Sequence, residues 1–186
     1  MRYAVIADVH GNLYALEAGL TDAKNQGADM YLFLGDYYCD LPFSNECAEL
    51  VRATVPAIAI GGNKEQRLAY APDSGWENYL QMRLLMDNLS RMTPENFAYL
   101  TQLPPSLDIT AEDGAAMQLR HNSPIRFRKE RLSNLHSSLY NADSHEEYLL
   151  AAKAEILSRS DVVADIEALS EGCVHMFAHN HVQFHA

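Results

Sequence analysis

The sequence predicts an α/β protein in which helices cover a sheet of parallel strands. In the first third of the chain, three short apolar segments of strand length alternate with two segments of helical periodicity. The chain has 186 residues, 48% of them hydrophobic, which is enough to bury one sizeable core. Because no repeat, low-complexity stretch or linker interrupts it, we predict one domain at 1–186, with a helical insert at about 64–103.

Local signals place the elements of this first third. Asn12 is a good N-cap for a helix that stops near Gly27, and a second helix is predicted at about 45–53. The predicted strands lie at 3–7, 30–34 and 57–60. Since helical crossovers join parallel strands, the carboxyl ends of these strands should meet at one edge of the sheet.

The rest of the chain predicts a helix, a pair of strands, further helices and a last strand. Thr93 before Pro94 is typical of a helix start, and Asp113-Gly114 is typical of a turn between paired strands. The remaining predictions are strands at 107–109, 115–119 and 174–177, and helices at about 144–158 and 162–169.

Charge and cysteine content favour some classes of protein over others. The formal net charge of −11 makes binding to a nucleic-acid backbone unlikely, and it is compatible with cation binding. No apolar run reaches the roughly 18 residues that a membrane span needs, and the N-terminus lacks a signal-peptide pattern. Cys39, Cys47 and Cys173 lack metal-binding spacing and are predicted to be free thiols. We therefore expect a cytoplasmic protein with no membrane contact.

Polar side chains follow five of the predicted strands. They are Asp8, His10, Asp36, Asn63, His121, His179 and His181. Carboxylate, imidazole and amide groups suit cations such as Mn, Fe or Zn, and a carboxylate such as Asp36 can bridge two of them. Each residue alone has an ordinary explanation: Gly62-Asn63 could be a turn with positive φ, and a single histidine is more often structural. The joint pattern favours a metal site, and seven ligands are too many for a closed tetrahedral zinc site.

Five sequence motifs in order resemble the calcineurin-like metallophosphoesterases, in particular their small bacterial branch. They are ADVHGN at 7–12, LGD at 34–36, GGNKE at 61–65, LRHNSP at 119–124 and AHNH at 178–181. The resemblance implies a four-layer α/β/β/α sandwich. It also implies a metal-dependent hydrolase of phosphomono- or phosphodiesters that uses a hydroxide bridging two divalent ions. Mn is the expected metal, with Fe, Ni or Zn able to substitute.

The resemblance also assigns roles to single residues. It implies a first metal at Asp8, His10 and His181, a second at Asn63, His121 and His179, and Asp36 as the bridge. Asp36, Asn63, Lys64 and His121 would be the catalytic residues. Lys64 stands where many relatives have histidine. A lysine can bind a phosphate oxygen but is a poor general acid near neutral pH, so we predict a preference for substrates with good leaving groups.

Further departures from the family pattern concern the last two motifs and the C-terminus. Asn122 and Ala178 replace glycines, and a positive φ at Ala178 would be strained. The sequence ends at Ala186, where relatives continue, so we expect C-terminal strands of one sheet to be missing. Missing strands would leave a bare sheet edge, and this has three possible explanations. The chain is a truncated product, a partner chain covers the edge as in a homo-oligomer, or the protein has lower stability.

Substrate and role are open at this level. We expect a small phosphate ester as substrate. Tyr70, Trp76 and Tyr79 of the insert could stack a base, although a place in the core is favoured. The alternative to an enzyme is a catalytically weak or inactive scaffold that retains the fold.

Overall fold

The computed structural model describes residues 1–68, 80–122, 167, 169 and 171–179. Nearly all of them belong to one compact unit, Met1–Asn122 with Cys173–His179. The other unit, Ser123–Gly172 with Asn180–Ala186, lies almost entirely outside the described residues. The helix predicted at about 144–158 lies outside them, and so does the helix predicted at about 162–169 apart from two residues. The single domain at 1–186 stays a prediction.

Within the described residues, strands and helices alternate as predicted before two further helices and three strands follow. The elements are β1 (Tyr3–Ile6), α1 (Leu13–Asn25), β2 (Met30–Phe33), α2 (Ser44–Ala53), β3 (Ala57–Ala59), α3 (Asn63–Leu68), α4 (Leu80–Arg91), α5 (Pro94–Gln102), β4 (Ser106–Thr110), β5 (Ala116–Arg120) and β6 (Cys173–Met176). Among the helices described, none has both the length and the apolar character needed to cross a bilayer.

The first three strands form a parallel sheet in the order β1-β2-β3. Its register pairs Tyr3 with Met30 and Tyr31 with Ala57. The carboxyl ends of all three strands therefore lie at one edge, as the strand–helix alternation predicted.

The helix boundaries follow from the capping residues named in the sequence. The Asn12 side chain accepts a hydrogen bond of 3.1 Å from the amide of Ala15 at the start of α1. Thr93 accepts one of 3.2 Å from the amide of Asn96, with Pro94 as the first residue of α5. Both caps satisfy amides that have no partner within the first turn of a helix.

The other three strands form a mixed sheet in the order β4-β5-β6, with β4 antiparallel to β5 and β6 parallel to it. In the turn between β4 and β5, Asp113 accepts a hydrogen bond of 3.0 Å from the Ala115 amide, and Gly114 has a φ of +88°. Since β5 and β6 run the same way, their carboxyl ends also lie side by side.

Two buried clusters pack against opposite faces of the parallel sheet. Alternate residues of a strand point to opposite faces, and Phe33 packs with helical residues such as Leu16 and Val51. On the other face, Leu32 packs with Leu119 of the mixed sheet. The predicted α/β class is confirmed, and helix, parallel sheet and mixed sheet form three successive layers.

A buried tyrosine joins the ends of β2 and β3. The hydroxyl of Tyr37 donates to the carbonyl of Ile60 at 2.6 Å and accepts from the amide of Gly35 at 2.9 Å. The side chain has no solvent exposure, and burial raises the pKa of Tyr37 well above its usual range. The hydroxyl therefore stays protonated and satisfies two backbone groups that water cannot reach.

We predict that Tyr37→Phe lowers the free energy of unfolding by about 1–3 kcal/mol, because it leaves a buried carbonyl and a buried amide without partners. Urea denaturation measures the difference. Tyr14→Phe is the matched control, since Tyr14 is 69% exposed. Equal stability of the two variants would contradict the role of the Tyr37 hydroxyl.

Candidate metal centre

Backbone hydrogen bonds join the loops that follow the strands. The amide of Asp8 donates to the carbonyl of Gly35 at 3.0 Å, and the amide of His10 donates to the carbonyl of Asp36 at 2.9 Å. The amide of His179, after β6, donates to a carboxylate oxygen of Asp8 at 3.0 Å. Loops from both sheets are thus fixed to one another, and their polar side chains converge.

Four of the converging residues have left-handed backbone. The φ angles are +52° at Asp8, +50° at His10, +58° at Asp36 and +71° at His179. Aspartate and histidine tolerate this region better than most residues, but each such conformation still costs energy and is typical of functional sites. The strain foreseen for a left-handed Ala178 does not arise, because the left-handed residue is the following one.

The Asp36 carboxylate is 2% exposed and faces two imidazoles. Its Oδ1 accepts a hydrogen bond of 2.9 Å from the Lys64 amide. Its Oδ2 lies 3.4 Å from Nε2 of His121 and 3.8 Å from Nε2 of His10. One oxygen is therefore held by the backbone, and the other is directed between the two rings.

Two groups of acidic and imidazole side chains share this carboxylate. Asp8, His10 and Asp36 form one group, and Asp36, His121 and His179 form the other. Within each group, one ligand atom per residue lies within 4.8 Å of the others, so either group could hold a metal ion. The structure brings together five of the seven predicted ligands in this way.

The surroundings of His121 fit a metal ligand. Its Nδ1 lies 2.7 Å from the Leu34 carbonyl, which accepts only from a protonated Nδ1. In the neutral ring, Nε2 then presents a lone pair at 3.0 Å from the Asn63 side-chain oxygen and 3.4 Å from Asp36. Three lone pairs facing one another suit a cation between them, and a histidine ligand usually donates its other N–H to a backbone carbonyl.

The charges at this point favour a cation opposite Asp36. Without a cation, burial acts to lower the pKa of His121, but the hydrogen bond that a protonated Nε2 makes to Asp36 and the charge of Asp36 act to raise it, and the pKa is raised. Burial acts to raise the pKa of Asp36, but His121 and the Lys64 amide outweigh it, so that pKa is lowered. Asp36 is therefore held ionised, and positive charge beside it is stabilised.

Asn63 is the first residue of α3 and does not belong to a left-handed turn. Neither Gly62 nor Asn63 is among the positive-φ residues of the described chain, so the simple turn explanation of this pair is wrong. His181 lies outside the described residues, as do Tyr70, Trp76 and Tyr79 of the predicted insert. Their assigned roles stay predictions.

Glu65, which the sequence interpretation left without a role, organises the backbone of the site. Its buried carboxylate accepts hydrogen bonds from the amides of Gly62 (2.7 Å), Asp36 (2.8 Å) and Tyr37 (2.9 Å). Burial and the charge of Asp36 raise the pKa of Glu65 to about 7, although the three amides act against this. Its position in the motif GGNKE was the signal that could have identified it.

Glycines allow the loops after β2 and β3 to touch. A Cβ added to Gly35 would lie 2.3 Å from the Gly62 nitrogen, and one added to Gly62 would lie 2.2 Å from Oδ1 of Asp36. Gly35 also has a φ of +97°. No larger residue fits at either position while Asp36 keeps its place.

Asp40 is a second residue that the sequence interpretation left without a role, and it lies in none of the motifs. Its Oδ2 lies 3.0 Å from Nδ1 of His10 and 3.4 Å from Nζ of Lys64. Nothing in the spacing of Asp40 from Asp36 predicted these contacts, since they depend on the path of the loop after β2.

The chain matches a known protein family over nearly its whole length. The family described as calcineurin-like phosphoesterase matches residues 1–183. An uncharacterized protein of Methanocaldococcus jannaschii is 32% identical over 101 residues, which are 54% of this chain and 41% of that protein.

Two of the solved structures that are similar to this chain show the extent of the likeness. A metallophosphoesterase from Sphaerobacter thermophilus has a TM-score of 0.52 and 30% identity, over 68% of this chain and 49% of its own. A hypothetical protein from Pyrococcus horikoshii has a TM-score of 0.56 and 23% identity, over 67% and 56%. The chain thus spans about half the length of these relatives, or less.

We predict that Gly62→Ala lowers the free energy of unfolding by about 1–3 kcal/mol, because the new methyl group forces Asp36 or its backbone to move. Gly19→Ala is the matched control: it adds the same group on α1, where nothing lies within 4 Å. Helix propensity predicts that this control gains up to about 1 kcal/mol. If urea denaturation finds no loss for Gly62→Ala, the close approach of the loops is not a constraint.

Proposed function

Because the chain belongs to the calcineurin-like phosphoesterase family, we propose that it hydrolyses phosphoric esters with the help of two divalent cations. The observation that supports this most is the pair of Asp/His groups that share Asp36. One shared carboxylate between two groups is the arrangement that a dinuclear site requires. Because the chain spans only about half the length of its relatives, its activity as a hydrolase is also proposed here.

We assign the ligands by the two groups and the sequence motifs together. The first cation would be held by Asp8, His10 and His181, the second by Asn63, His121 and His179, with Asp36 available to both. His181 rests on the motif AHNH alone. Oxygen and imidazole donors without sulfur suit Mn, with Fe, Ni or Zn as substitutes.

Bound cations supply Lewis-acid polarisation of the phosphoryl group and a water nucleophile of lowered pKa. The chain's own residues provide the geometry. The Leu34 carbonyl orients His121 so that Nε2 faces the site, and the Lys64 amide fixes Asp36. The ammonium of Lys64 provides a positive charge beside the site, where it binds a phosphate oxygen of the substrate.

The substrate we propose is a small phosphate ester. The net charge of −11 opposes binding to a long nucleic-acid backbone. Bound cations would supply the local positive charge that a small phosphate ester needs, with Lys64 beside them. The cytoplasmic location and a homo-oligomer stay predictions from the sequence.

The test is hydrolysis of bis(p-nitrophenyl) phosphate by metal-stripped protein, with and without added Mn²⁺. We expect turnover that requires the metal. Asp36→Asn should lower kcat/KM by at least about 100-fold, since bound cations stabilise the transition state by several kcal/mol. Asparagine tolerates the φ of +58° at this position, so the loop should keep its shape.

Asp87→Asn is the control, because it removes the same charge from an exposed ion pair with Arg91 on α4. It should retain wild-type activity. A folded wild-type protein that binds Mn²⁺ but releases no p-nitrophenol would contradict the hydrolase and favour the scaffold alternative.

Lys64 generates a second prediction. Because a lysine is a poor general acid near neutral pH, the leaving group must depart with little protonation. We expect kcat/KM to fall steeply across aryl phosphodiesters as the pKa of the leaving phenol rises. A flat dependence would show that another group donates the proton.

A further inference from the structure

The carboxylate of Asp40 lies between a proposed metal ligand and the proposed phosphate-binding cation. Its Oδ2 is 3.0 Å from Nδ1 of His10, and its two oxygens are 3.4 and 3.5 Å from Nζ of Lys64. No sequence motif includes Asp40, and the proposed ligand set has no role for it. Asp40 thus contacts both functional side chains, His10 and Lys64, without being a proposed metal ligand itself.

The backbone on both sides of Asp40 is fixed. The amide of Cys39 donates to the buried Ser44 hydroxyl at 3.0 Å, and the amide of Leu41 donates to the carbonyl of His10 at 2.9 Å. Asp40 itself has a φ of +43°, in the region that aspartate and asparagine tolerate. The carboxylate is therefore presented by a constrained loop.

These contacts orient His10. Nδ1 lies 3.0 Å from Oδ2 of Asp40, at ion-pair distance, and on the other side of the ring Nε2 lies 3.8 Å from Oδ1 of Asp8 and 3.8 Å from Oδ2 of Asp36. A carboxylate beside Nδ1 favours the tautomer with the proton on Nδ1, which leaves the lone pair of Nε2 to bind a cation.

The same carboxylate restrains Lys64. The main chain of Lys64 is anchored by its amide to Asp36, and its ammonium is held by Asp40 at the other end. The Asp40 side chain is 45% exposed, and partly exposed ion pairs contribute little to stability. The pair therefore matters for the position of the ammonium more than for the fold.

We propose that Asp40 is a positioning residue, which holds His10 in the orientation for metal binding and holds the Lys64 ammonium beside the substrate phosphate. The second part, the placement of the Lys64 ammonium beside a substrate phosphate, rests on the proposed function. The first part concerns metal affinity and can be measured without turnover.

The test uses Asp40→Asn, which suits the left-handed backbone and removes the charge, with Asp87→Asn as the control of equal net charge. Isothermal titration of metal-stripped protein with Mn²⁺ should give a Kd raised about tenfold for Asp40→Asn, as for other residues behind a metal ligand, and unchanged for the control. Circular dichroism checks that each variant is folded.

A double-mutant cycle with Lys64→Gln tests the second part. We expect the combined effect on kcat/KM to be smaller than the product of the single effects by at least about threefold, because Asp40 acts in part through Lys64. An unchanged Mn²⁺ affinity, or single effects that multiply independently, would overturn the proposal. If the wild-type protein binds Mn²⁺ without hydrolysing esters, the proposed function is wrong and the affinities alone decide the role of Asp40.

Discussion

The orientation of one buried carboxylate, that of Asp36, determines the rest of the site. Its Oδ2 faces both His10 and His121 while its Oδ1 is held by the Lys64 amide. That hydrogen bond requires the loops after β2 and β3 to lie in backbone contact. Glycines at the contact make the approach sterically feasible, and the Glu65 carboxylate binds amides from both loops and keeps them together.

The site contains several features that each cost folding free energy. Asp36 and Glu65 are two buried acids, the charge of Asp36 disfavours that of Glu65, and four candidate ligands have left-handed backbone. The apolar clusters on both faces of the parallel sheet and the hydrogen bonds between loops offset this strain. A cation beside Asp36 would stabilise the same arrangement further, so the strain is consistent with a site built for one.

The sequence predicted the elements and the side chains that converge, because both follow from local rules. Strand and helix periodicity, with the caps at Asn12 and Thr93, placed the elements, and the rule that parallel strands end at one edge placed the ligands together. The supporting residues escaped prediction for the opposite reason. Glu65 and Asp40 act through contacts with residues more than 20 positions away in the sequence. The geometry of these contacts depends on the irregular backbone after β2. Periodicity carries no information about such contacts.

The most direct test of the account is anomalous diffraction at the Mn edge from crystals grown with Mn²⁺. We predict two Mn²⁺ ions per chain, both in contact with the Asp36 carboxylate, one on the side of His10 and one on the side of His121. A single ion, or two ions of which either has no contact with Asp36, would contradict the claim that this carboxylate is the centre of the site.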